Sequence, residues 1–242
     1  MQELFDDFRA RSGVWSYRTE NFSSVELTDD GLNLCVGPTE ALYYSDAEIS
    51  DGGFGSLRWS GGEAEFRARL GFDHYGSAGF GFWNYSMVIG ESMPIWFIYL
   101  SSRGRYPLKG FFVQAGKNFC PLLLRGPDRS FALISILSRI MPSLVGIRIL
   151  RSRPVLKGLN PEAFHDFKVL WRGTTASFYV DGSEVCTIRD RLLEGRRARL
   201  DVWIDNAVFV PLRNDPGRVY RHNTQELQER HCLTLRHVRA RA

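Results

Sequence analysis

The sequence predicts an all-β fold: a two-sheet antiparallel β-sandwich carrying one short helical insertion. Three observations lead there. Residues Glu63–Phe72 alternate strictly, with Ala64, Phe66, Ala68, Leu70 and Phe72 on one face and Glu63, Glu65, Arg67 and Arg69 on the other, the pattern of a half-buried antiparallel strand. Short strand-like segments recur along the chain between glycine-rich turns. The length, 242 residues, is one that a single sandwich domain reaches.

The remaining elements follow in order. Gly31–Val36 and Glu40–Ile49 read as a strand pair joined through Gly37-Pro38. Ser77–Asn84 is aromatic and glycine-spaced, and Pro94–Leu100 is so apolar that both of its faces must be covered. Gly110–Ala115, Phe167–Trp171, Ala176–Val180, Glu184–Ile188 and Arg199–Val210 continue the series, and Cys232–Ala240 closes it. Asp181-Gly182 fits a tight hairpin turn, because Asp-Gly supplies the positive φ such a turn needs. Arg129–Met141 breaks the pattern. It reads as a helix, apolar on most of its surface, with Ser135, Ser138 and Arg139 as a narrow polar side and Pro142 as its stop. It lies in an insertion of about residues 117–160, a lid candidate within one domain spanning 1–242. A second helix is expected near Thr224–Arg230, with Asn223 or Thr224 as its cap.

Composition bounds the function. With 44% hydrophobic and 24% charged residues, the chain is globular rather than disordered. No apolar run is long enough to span a bilayer. The first residues, Met1–Asp7, are acidic and offer no secretory signal, so the expected location is cytoplasmic. The four cysteines, at 35, 120, 186 and 232, have no metal-ligand spacing; four free thiols, no metal and no cofactor are expected. The net charge of +4 resides in Pro216–Ala242, where six arginines face two glutamates. A second basic stretch, Arg129, Arg139, Arg148, Arg151, Arg153 and Lys157, contains no acid between Asp128 and Glu162. These two segments are candidates for contact with an anionic group or a membrane surface. No nucleic-acid-binding motif accompanies them.

Several stretches together resemble the concanavalin-like lectin and glucanase jelly rolls, and within them the laminarinase-type (family sixteen) glycoside hydrolases. They are Gly62-x-x-Glu65-x-Arg67-x-Arg69; Ala78-Gly79-Phe80-Gly81-Phe82-Trp83-Asn84; Phe164-His165-Asp166-Phe167-Lys168-Val169-Leu170-Trp171 with Phe178-Tyr179-Val180-Asp181-Gly182; Leu200-Asp201-Val202-Trp203; and Leu235–Arg239. The resemblance implies a jelly roll with a concave cleft. It also implies a catalytic E-x-D-x-x-E on the strand after the F-W-L-like segment, and here that strand reads Met93–Ser101 without a carboxylate. Glu91 is nearby but lacks a second carboxylate. A retaining glycosidase needs two, roughly 5–5.5 Å apart, so hydrolysis of β-glucans is not expected.

What remains for chemistry is the strand Arg199–Asn206. Arg199, Asp201, Trp203 and Asp205 share the face turned from the apolar Leu200, Val202 and Ile204. Asp201 and Asp205 are the candidate proton-handling residues, with Trp203 as an apolar wall that raises a carboxyl pKa. The alternative is a strand face on which Arg199 pairs with Asp201 and Asp205-Asn206 turns the chain. Asn84, Trp96 and Trp203 are candidate ligand contacts, and Arg139 or Arg148 would hold an acidic end at the rim of a roof formed by the insertion. Three functions are expected: a cytosolic binder of a small apolar or amphipathic molecule, acting as a cyclase, hydratase or isomerase if it is an enzyme; a non-catalytic glycan-binding module; or a scaffold whose apolar insertion is a docking surface for a protein or a membrane, with a degenerate glycoside hydrolase expected less than any of these.

Overall fold

The computed structural model describes residues 2–53, 55–71, 73–85, 92–126, 129–141, 146–150, 159–211 and 220–242. In chain order the strands are β1 (Glu3–Asp6), β2 (Ser16–Glu20), β3 (Ser23–Thr28), β4 (Gly31–Val36), β5 (Asp46–Ser50), β6 (Gly62–Leu70), β7 (Gly76–Trp83), β8 (Ile95–Ser101), β9 (Gly110–Ala115) and β10 (Asn118–Leu124). The helix α1 (Arg129–Ile140) follows. Then come β11 (Arg148–Ile149), β12 (His165–Arg172), β13 (Thr175–Val180), β14 (Ser183–Arg189), β15 (Arg199–Asp205), β16 (Ala207–Pro211), β17 (Tyr220–Thr224) and β18 (His231–Arg241).

The first sheet runs β14-β13-β12-β6-β18-β4-β3, with β1 on the far end of β18. The second runs β11-β10-β9-β8-β7-β15-β5-β2, and β16-β17 form a separate hairpin. All pairings are antiparallel except the two-residue β10–β11 contact. This is the two-sheet antiparallel sandwich that the alternation predicts, and the jelly roll that the resemblance implies. β6 pairs on both sides, with β12 and β18, and its Ala64, Phe66, Ala68 and Leu70 are buried; Phe72 lies outside the described residues. The sheets meet over a stack of phenylalanines: Phe66–Phe80 at 5.0 Å, Phe80–Phe167 and Phe97–Phe167 both at 5.1 Å. Each buried ring contributes roughly 1.5–3 kcal/mol. Asp181 and Gly182 both have positive φ between β13 and β14, as the hairpin requires.

Four expectations are corrected. Gly31–Val36 and Glu40–Ile49 are not partners: β4 lies between β3 and β18, and β5 belongs to the other sheet. Thr224–Arg230 is not helical: Thr224 ends β17 and Leu227 forms an isolated bridge with Thr39. Leu227 exchanges backbone hydrogen bonds with Thr39, and Gln225 N donates to Asn206 O, so backbone groups a helix would use are taken. Arg199–Val210 divides at Asn206, whose side chain accepts from Ser45 N and donates to Tyr43 O and Gln225 O. Finally, Cys35 and Cys232 form a disulfide, leaving Cys120 and Cys186 free. The two stand opposite one another on β4 and β18, a proximity that spacing in the sequence does not reveal.

The insertion begins with β10, a full member of the second sheet, before the helix. The helix is inverted relative to its composition. Its polar side packs inward, with Ser135 and Ser138 buried, while Leu133, Ile136, Ile140 and Met141 are exposed. The reason lies in β11, a short edge strand whose backbone needs partners. Ser138 Oγ accepts from Ile149 N and donates to Ser135 O, and Arg139 Nε donates to Ile149 O.

Candidate functional site

The outer face of the second sheet carries the sequence-predicted residues, because strand alternation sends every second side chain there. From β15 it receives Arg199, Asp201, Trp203 and Asp205, while Leu200, Val202 and Ile204 are buried in the core between the sheets. From β8 it receives Trp96, Ile98 and Leu100, which join a second apolar cluster with Phe112, Phe119, Ile149 and Val208. Phe131 and Ile134 of α1 pack on that cluster beside the half-buried Trp96 and Trp203. The insertion thus covers part of this face.

Three tryptophans form a folded wall along the face. Trp96 lies 4.5 Å from Trp203 and 5.6 Å from Trp83, ring centre to ring centre, and Tyr85 lies 4.8 Å from Trp83. Glycines on β7 make room for them: a Cβ at Gly79 would stand 2.5 Å from Trp203, and one at Gly81 2.7 Å from Trp96 Cβ. Trp96 Nε1 donates to Gln114 Oε1, and Trp203 Nε1 donates to Ser77 Oγ. Asn84 is at the margin of the wall, its Oδ1 accepting from Met93 N.

Beside the wall lies a charged cluster. Arg199, 3% exposed, is its centre. Its Nη2 is 2.7 Å from Glu48 Oε1 and 2.8 Å from Asp201 Oδ1, and its Nε donates to Asp201 Oδ2. Tyr85 lies over the guanidinium at 4.1 Å. Arg18 reaches Glu48, Glu20 and the Tyr85 hydroxyl. Burial drives the Asp201 carboxyl well above the usual range; Glu48 adds repulsion and a hydrogen bond to the protonated form, while Arg199 opposes both. Burial raises Asp46 as well, with the Asp205 and Glu48 charges adding to it. Asp201 and Glu48 thus share one guanidinium, with Asp201 the more deeply buried of the two carboxyl groups.

Asp205 is separate from that pair. Its oxygens accept from Ser77 N, Ser77 Oγ, Tyr44 OH and Ala207 N. Every lone-pair direction is used to hold the β7–β15–β16 junction, and burial raises its pKa to about 7. His74, in the turn before β7, is fully buried. Its Nε2 faces Asp205 O at 2.8 Å, and burial lowers its pKa to about 4.

The structure therefore brings together Asp201, Trp203, Trp96 and, at the margin, Asn84. It sets Asp205 apart as a junction residue. Arg139 is committed to Ile149 O and Ser135 Oγ. Arg148 is exposed on β11, alternating with the buried Ile149. Glu91, Arg151, Arg153 and Lys157 lie outside the described residues. Sequence reading missed Glu48, Arg18 and Tyr85. The signal for Glu48 was in β5, where Asp46, Glu48 and Ser50 alternate with Ala47 and Ile49. Among the described residues no group of three or more His, Cys, Asp or Glu could hold a metal ion.

No family model matches the chain, and no curated protein matches it. Solved structures do. An endo-acting O-glycanase of the human gut microbiota superposes with a TM-score of 0.58 at 12% identity, over 98% of this chain and 97% of its own. The Bacillus licheniformis β-glucanase gives 0.56 at 11%, over 99% and 98%. The κ-carrageenase of Pseudoalteromonas carrageenovora, in complex with a tetrasaccharide of κ-carrageenan, gives 0.56 at 12%, over 98% and 92%. These matches establish a concanavalin-like, glucanase-like jelly roll over nearly the whole chain. At such identity they speak for the fold.

Proposed function

We propose that the outer face of the second sheet binds an amphipathic, sugar-like molecule without hydrolysing it. The observation that carries this is β8. On the strand where the resemblance would put the catalytic carboxylates, the outward residues are Trp96, Ile98 and Leu100. Ile98 and Leu100 are buried in the second apolar cluster, so the half-buried Trp96 is what a ligand meets there, and an indole favours the apolar side of a ring over the charge of an oxocarbenium-like transition state. Trp83, Trp96 and Trp203 supply the stacking wall, with Gln114 and the Arg18–Glu48–Arg199 cluster as polar margins. The glycan ligands of structures with this fold lend support, since a κ-carrageenan tetrasaccharide is bound by one of them. Titration with alkyl glycosides, free oligosaccharides and fatty acids, read by tryptophan emission, tests the proposal. Alkyl glycosides should bind best, and Trp203→Ala should weaken them by 1–2 kcal/mol, about ten-fold. Reducing ends released from laminarin or lichenan would overturn it, with Glu91→Gln as the control.

A second reading is favoured by the Asp201–Glu48 pair: an isomerase, cyclase or hydratase in which Asp201 gives a proton and Glu48 takes one. Here Asp201→Asn would leave ligand binding in place and abolish turnover. The Cys35–Cys232 bond supports an oxidising compartment and weighs against the cytoplasmic expectation. Alkylation of thiols at the moment of lysis distinguishes the two.

A further inference from the structure

We propose that the exposed side of α1 is a docking surface for an anionic lipid bilayer. The helix has twelve residues, a length of about 18 Å. Leu133, Ile136 and Ile140 fall at i, i+3 and i+7 on one side, 60%, 52% and 70% exposed, and Met141 continues the stripe. This is the side a helix normally buries. Its opposite side cannot exchange places with it, because Ser138 and Arg139 are bound to Ile149 of β11 and Phe131 and Ile134 sit on the second apolar cluster. The apolar stripe is held outward by the fold.

Charge decides the occupant. Between Asp128 and Glu162 the sequence has no carboxylate. Arg129 opens the helix and Arg148 lies on the adjoining β11; both are exposed, and neither pairs with a described carboxylate. Of the C-terminal arginines, Arg230, Arg236 and Arg241 are paired with Glu26, Asp30 and Glu63 on the first sheet, and Arg239 lies over the Phe5 ring. An apolar stripe flanked by exposed arginines that pair with no described carboxylate is the chemistry of a helix lying in the headgroup region of an anionic membrane. A second copy of the chain fits less well, because a two-fold contact on this stripe would bring the arginines of each copy against one another. No described helix is long and apolar enough to cross a membrane, so the surface rests in one leaflet. The inference is independent of the ligand proposed above, since plain phospholipid vesicles contain no sugar and failure here would leave that reading intact.

Co-sedimentation with vesicles of phosphatidylcholine, alone or mixed with phosphatidylserine, tests it. The unmodified chain should sediment with the mixed vesicles and be released as salt rises. Ile136→Ser with Ile140→Ser should weaken partitioning by roughly tenfold or more, and Arg148→Glu by roughly fivefold. Circular dichroism melts should be unchanged, because these side chains are exposed. The proposal is overturned if the unmodified chain ignores both kinds of vesicle or binds them equally. It is also overturned if the serine variant binds as tightly, or if light scattering shows a dimer that this variant converts to a monomer.

Discussion

Asp205 and His74 sit against one another in the β7–β15–β16 junction and titrate with opposite consequences. Burial raises Asp205 from 3.8 to about 7. The folded chain keeps a proton that the unfolded chain releases, so this contribution is complete below pH 3.8 and is lost as pH rises toward 7. Burial lowers His74 from 6.5 to about 4; its contribution is present above pH 6.5 and lost as pH falls toward 4. Between these limits the two slopes oppose one another. Asp205→Asn removes only the first, and its Oδ1 can still accept from Ser77 N and Ala207 N. The stability of this variant relative to the parent should therefore rise by about 2–4 kcal/mol between pH 4 and pH 7, measured by urea midpoints. A constant difference would show that Asp205 does not titrate in this window. Arg199 makes a second test. Arg199→Met leaves Asp201 without its cation and Glu48 with Arg18 alone, at a cost of up to about 3–5 kcal/mol, and Glu48→Gln in the same chain should recover part of it. At this scale, alternation in the sequence placed Asp201, Trp203 and Asp205 on one face. It could not show that both carboxyls are sealed from solvent, because burial there depends on Tyr44 and Tyr85, which come from distant segments.

At the level of elements, β7 and α1 show what periodicity reveals and what it leaves open. The glycine spacing of Ser77–Asn84 marked a strand, but not that Gly79 and Gly81 are seats for Trp203 and Trp96. Gly79→Ala would place a methyl 2.5 Å from both Trp203 and Phe97 O. The expected result is a thermal midpoint several degrees lower and a shifted tryptophan emission. If emission were unchanged, the ring would not be resting on that glycine. The helix was legible in its span, Arg129–Met141 expected against Arg129–Ile140 observed. Its orientation was not: a hydrophobic stripe has a position in the sequence, but which side packs is decided by β11 and its need for backbone partners. Strands β1, β2 and β3 were missed because they are short and partly exposed, with charged residues breaking their alternation.

Taken as a whole, the molecule has one complete core between its sheets and a smaller one beneath the helix. Deleting residues 130–147 should leave a cooperative sandwich that binds a hydrophobic dye at the uncovered Ile98, Leu100 and Phe112; loss of cooperativity would mean that the helix belongs to the main core. The sandwich itself was legible because its strands repeat one simple pattern, whereas strand order, set by contacts between remote segments, was not. The Cys35–Cys232 bond belongs to this scale as well. Thiol titration in denaturant should find two free groups, and four after reduction. The bond also fixes how the protein answers to force. Its partners are 197 residues apart and directly opposed on neighbouring strands. Pulled from its ends, the oxidised chain can pay out only the segments outside that loop, roughly 150 Å of contour at full extension. Strands β5 to β17, inside the loop, are not extended. Reduction would release roughly 650–700 Å more, turning a tether that yields a short, fixed length into one that unravels through its whole fold.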